Sequence, residues 1–78
     1  MRHSAQKILS KINRQEQERI IAAINSLTNT PRPSGCKKLS GRPAWRIRIG
    51  FYRVIYEIQD NKLIVTVVHI GHRREVYR

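Results

Sequence analysis

The reinforcements that small domains rely on are almost missing from this chain. Cysteine occurs once, at Cys36, so no internal disulfide can form. No second cysteine stands near a histidine at the spacing of a structural zinc site. The single thiol points to a reducing compartment. Long apolar runs are also missing: nothing approaches the roughly 18 residues of a membrane span, and Met1–Ser10 lacks the apolar stretch of a signal peptide. These absences predict a soluble cytoplasmic protein. There is no internal repeat and no low-complexity block.

Acidic residues are the third scarcity, with 5 Asp and Glu against 16 Lys and Arg, a formal charge of +11. Paired-carboxylate catalysis therefore has almost no candidates. Glu57, Asp60 and Glu75 are the only acids in the second half, and they read as charge partners or turn residues. At 78 residues there is room for one domain, burying about 60 to 65% of its unfolded surface. Hydrophobic residues at 40% exceed what a disordered basic tail contains, so the charge sits on a folded body. Such a surplus repels itself in the compact state and implies an anionic partner. It leans toward the second half: residues 1–36 hold six basic and two acidic residues (+4), residues 37–78 ten and three (+7).

The apolar period changes once along the chain. Ala5, Ile8, Leu9 and Ile12 form one stripe at helical spacing, and Ile20, Ile21, Ile24 and Leu27 form another. Asn13 followed by Glu16 predicts a capping box that opens the second helix near Arg14. A helical hairpin over about 4–28 follows. Prolines at 31 and 33 and Gly35 stop it, and residues 29–43 read as an irregular crossover. From Ala44 the period is two: Trp45, Ile47 and Ile49 alternate with Arg46 and Arg48. Tyr52 to Ile58 reads as a second strand, Asp60-Asn61 as a tight hairpin, and Leu63 to Ile70, apolar on both parities, as a third strand. The fold class is α+β, a helical hairpin packed on the Trp45/Ile47/Ile49 face of a small antiparallel sheet at about 44–70, with a basic C-terminal tail at 71–78. The other face carries Arg46 and Arg48, with Arg53, Arg73 and Tyr77 as candidates to join them.

Sharper chemical readings fail on residue type. Gly35-Cys36-Lys37-Lys38-Leu39-Ser40 lacks the spacing of a phosphate-binding loop, His69 and His72 lack a third metal ligand, and Cys36 has no evident base. What remains is cations and phenols. An arginine fork matches two phosphate oxygens and keeps its charge, and a tyrosine can stack on a nucleobase or move a proton.

Three segments carry a family resemblance: Lys38-Leu39-Ser40-Gly41 before the first basic strand, Tyr52-Arg53-Val54-Ile55-Tyr56, and Gly71-His72-Arg73-Arg74-Glu75-Val76-Tyr77. With them the chain resembles the RelE/ParE superfamily of toxins from type II toxin–antitoxin systems over nearly its whole length. The resemblance implies a toxin of the RelE type, a metal- and cofactor-free endoribonuclease that enters the ribosomal A site, cleaves mRNA by attack of the 2′-OH on the adjacent phosphate, and so inhibits translation. It implies catalytic roles for Arg46, Arg48, Arg53, Arg73 and Tyr77, the last as base, and a share of acid–base work for His72. Lys37, Lys38, Arg42, Arg74 and Arg78 are then left to contact RNA and the ribosome. Implied partners are a cognate antitoxin, RelB-like or of another family, the mRNA and ribosomal RNA, and operator DNA only through the antitoxin complex. No membrane is involved.

Relatives open with a short strand before the first helix, for which Met1-Arg2-His3 leaves no room, so either the chain begins at an internal start or the sheet is expected to lack that strand. Arg46 and Arg48 stand where lysine occurs in relatives. Charge stabilisation carries over, but general-acid work does not, because a guanidinium does not give up its proton. The alternatives are a ParE-like inhibitor of DNA gyrase that cuts no RNA, and an inactive regulatory member.

Overall fold

A computed structural model of the chain describes residues 1–62 and 64–72. The helix α1 (His3–Ser10) turns directly into α2 (Arg14–Ser26), followed by strands β1 (Lys37–Lys38), β2 (Ala44–Ile49), β3 (Tyr52–Gln59) and β4 (Ile64–His72). The strands form one antiparallel sheet in the order β1-β2-β3-β4. The α+β reading therefore holds, with three corrections. The segment read as loop 29–43 contains the edge strand β1. The last strand runs to His72, past the expected end near 70. The turn at Asp60-Asn61 is a short 3-10 helix, Asp60–Lys62, in place of a two-residue hairpin.

The helical corner is made by local hydrogen bonds. The Asn13 side chain accepts from the Glu16 backbone N–H at 2.9 Å, satisfying one of the helix's free donors. Gln17 Nε2 donates to the Leu9 carbonyl at 2.7 Å, closing off the end of α1. The Glu16 carboxylate pairs with Arg19 at 3.5 Å. The apolar stripes face the sheet: Ala5, Ile12, Ile20 and Leu27 are buried, with Ile8, Leu9 and Ile24 packed beside them. Ile21 is the exception, 42% exposed on the outer side of α2. The sheet contributes Ile49, Val54, Tyr56, Val67 and Ile70 to the same core. Burying each large apolar side chain contributes about 1.5–3 kcal/mol. No strand precedes α1 among the described residues. The Arg2 backbone N–H instead donates to the Val67 carbonyl on the outer edge of β4 at 2.9 Å.

Register sorts the sheet into two faces. Ile47 pairs with Val54, Trp45 with Tyr56 and Ile49 with Tyr52, so these side chains lie toward the helices. Arg46, Arg48, Arg53, Ile55 and Glu57 lie on the other face. Between β3 and β4 the register shifts once. Tyr56 pairs with Val67 but Ile55 pairs with His69, leaving Val68 as an extra residue. This bulge reverses the parity of the end of β4. Ile70 enters the core, and His69 turns to the arginine face.

Strands β2 and β3 meet through Gly50-Phe51, with Gly50 at φ +60. A Cβ there would lie 3.3 Å from Glu16 Oε2 and 3.5 Å from Arg19 Nη1. Gly50→Ala is therefore expected to cost about 1–2 kcal/mol from the left-handed backbone alone, a fall of at least about 4 °C in Tm by thermal unfolding. An unchanged Tm contradicts this packing.

Candidate functional site

On the face away from the helices the basic residues fall in two rows across the strands. One row runs Lys37 of β1, Arg46 of β2, Ile55 of β3 and His69 of β4. The next runs Arg48, Arg53 and Gly71. Two like-charged pairs, Lys37 with Arg46 and Arg48 with Arg53, thus sit directly opposite each other. Opposed side chains in antiparallel strands have Cβ atoms about 4.5–5.5 Å apart, close enough for one anion to meet both. Arg53 is only 3% exposed, while Arg48 is open to solvent. Gly71, across from Arg53, adds no side chain to the face. Among the described residues the acid on this face is Glu57, which pairs with Arg2 at 3.7 Å and is displaced toward Ala44 and Thr66. Cations concentrated this way suit an anion with several oxygens.

Of the residues singled out from sequence, Arg46, Arg48 and Arg53 share this face, and Lys37 joins them because the unforeseen strand β1 sets it beside Arg46. Lys38 points the other way and lies 6.0 Å from the Trp45 ring centroid, and Arg42 is exposed in the turn before β2. Arg73, Arg74, Tyr77 and Arg78 lie outside the described residues. His72 sits on the helix-facing side, pairing with Tyr52, whose ring it meets edge-on at 5.3 Å; Phe51, 67% exposed, stacks on it at 6.2 Å. With Ile8, Lys11, Ile12 and Tyr52 it lines an open cavity of about 410 Å³. The imidazole on the arginine face is that of His69. Sequence reading missed it because Val and Ile on both parities of β4 conceal the bulge.

The crossover is tied to the sheet from the helix-facing side. Tyr56 is fully buried, and its hydroxyl donates to the Pro31 carbonyl at 2.7 Å. Arg32 lies over the Trp45 ring at 4.8 Å. Burial pushes the Tyr56 phenol up from 10.0 to about 12; the neighbouring Cys36 adds to the rise and Arg32 opposes it. No three His, Cys, Asp or Glu side chains group as metal ligands among the described residues, and none of their helices is long and apolar enough to cross a membrane.

The family model described as the ParE toxin of the type II toxin–antitoxin system parDE matches residues 1–77. The chain belongs to that toxin family. Solved relatives share the fold of this toxin. The RelBE toxin–antitoxin complex of Escherichia coli superposes with a TM-score of 0.78 at 26% identity, over 91% of this chain and 89% of that one. The isolated E. coli RelE toxin superposes with 0.75 at 26%, over 94% and 82%. The archaeal RelE–RelB complex of Pyrococcus horikoshii gives 0.83 at 23%, over 92% and 89%, a likeness of fold alone. Curated proteins give no sequence match.

The raised phenol of Tyr56 makes the toxin's stability alkali-sensitive. The unfolded chain releases this proton near pH 10 while the folded one holds it to about 12, so stability falls as pH rises through that interval. Tyr56→Phe is expected to lose about 1 kcal/mol at neutral pH with the Pro31 hydrogen bond, and to flatten the decline between pH 10 and 12. Denaturant unfolding at a series of pH values measures both, and an equally steep decline in the variant contradicts the assignment.

Proposed function

We propose that this toxin is a ribosome-dependent endoribonuclease that cuts mRNA in the A site by 2′-OH transesterification. What supports this reading most is the Arg48–Arg53 pair, held face to face beside Arg46 and Lys37 on an otherwise small sheet. Four cations at adjacent register positions on one face of so small a sheet make a cluster whose guanidinium forks match the oxygens of a phosphate.

In the proposed reaction O2′ attacks the neighbouring phosphorus, the P–O5′ bond breaks, and a cyclic phosphate and a free 5′-OH remain. Charge builds on the non-bridging oxygens in the transition state. Arg53, almost buried and therefore little screened, and Arg48, more accessible, neutralise it with Arg46 alongside. Arg73 as a further phosphate contact and Tyr77 as base come from the family resemblance. Lys37, Lys38, Arg42, Arg74 and Arg78 are assigned to RNA and ribosome contacts. Solved relatives include RelB–RelE complexes; by analogy, an antitoxin segment of acidic or amphipathic character covers the arginine face of this toxin.

A second reading has one observation in its favour, the ParE name of the matching family. It makes the toxin an inhibitor of DNA gyrase that leaves RNA intact. Primer extension on translated mRNA separates the two. Wild-type toxin is expected to produce cuts, and Arg48→Ala, at an exposed position, is expected to slow them about 10²–10³-fold, the loss of one transition-state donor. Intact message together with inhibited supercoiling by gyrase contradicts the endoribonuclease reading.

A further inference from the structure

Transesterification needs a proton delivered to the leaving O5′, and guanidinium groups do not deliver one. Resting on the endoribonuclease reading, we propose that His69 is the general acid of the cleavage. Three observations converge on it. Its register position, opposite Ile55 and in one row with Arg46, puts it on the arginine face. It is solvent-exposed, so a bound phosphodiester can reach it. The bulge at Val68 brings it there: with strict alternation from Val67, which is buried in the core, the residue two positions on would share the core face. Bulges recur beside active sites because they re-aim a side chain at the expense of ladder regularity.

The geometry suits a single phosphate. Arg53 and His69 are diagonal neighbours on adjacent strands, roughly 7–8 Å apart, with Gly71 adding no side chain between them and the end of β4. A phosphate seated on the Arg48–Arg53 fork would lie on the same face as the imidazole, one row away. Imidazole is the side chain whose proton exchanges near neutral pH. His72 has the same chemistry but lies on the helix-facing side against Tyr52 and Phe51.

The step balances as follows. O2′ forms the new bond to phosphorus and its proton leaves to the base, for which the family resemblance implies Tyr77. The P–O5′ bonding pair goes to O5′. The imidazolium of His69 gives O5′ its proton and becomes neutral, to be reprotonated from water.

The test compares single-turnover cleavage, on programmed ribosomes, of a natural message and of one carrying sulfur in place of O5′ at the scissile position, since a thiolate leaves without needing a proton. His69→Gln is expected to slow the natural message about 10²–10⁴-fold, the usual contribution of a general acid, and to cut the sulfur message within a few-fold of wild type. The ratio of the two rates within one variant is insensitive to how much of it is folded. The proposal is overturned if His69→Gln cuts the natural message like wild type, if it loses equally on both messages, or if His72→Gln shows the sulfur-rescued loss instead. Wild type cutting neither message overturns the endoribonuclease reading itself, and the role of His69 with it.

Discussion

The arrangement of the basic face depends on the pairing of β2 with β3. Gly50-Phe51 is a two-residue connection, so Ile49 must meet Tyr52, and every later pair follows from that one. A slip of one residue would turn Arg46 and Arg48 toward the helices and Trp45, Ile47 and Ile49 toward water. Several apolar side chains at about 1.5–3 kcal/mol each would be lost to water by such a slip, so burial fixes the register. The core thus sets Arg48 and Arg53 opposite each other on the far face of the sheet.

Burial divides the labour across the sheet. On the helix side, Tyr56, Trp45 and the crossover residues Pro31 and Arg32 form a latch that ties down a proline-bearing segment without secondary structure of its own. That segment then delivers Lys37 to the edge of the sheet beside Arg46. The same stretch of chain therefore joins a hydrogen bond on the helix side to a cation at the edge of the arginine face. The link runs from a buried hydroxyl, through a loop, to surface charge.

How much of this was legible in the sequence follows from which signals are periodic. The helical stripes, the Asn13 cap and the Arg46/Arg48 alternation are local patterns, and each reappears in the fold. Strand β1 is two lysines long, too short for any period to register. The Tyr56–Pro31 bond joins residues 25 positions apart, which no local pattern signals. The bulge matters most. In Val65-Thr66-Val67-Val68-His69-Ile70 either parity buries valine and isoleucine, so nothing local reveals that one residue is doubled against β3. Reading on without that extra residue exchanges the faces of His69 and His72, and with them the candidate for proton transfer. Arg73 and Tyr77, singled out on resemblance, lie outside the described residues.

The central claim is that the arginine face holds a phosphodiester of mRNA and directs its own 2′-OH against it. The chemistry of the cut ends tests this most directly. Message recovered from ribosomes translating in the presence of the toxin is expected to carry a 2′,3′-cyclic phosphate on the upstream fragment and a 5′-hydroxyl on the downstream one, read by mass spectrometry of the fragments. A 5′-phosphate end, or full-length message from ribosomes exposed to active toxin, would contradict it.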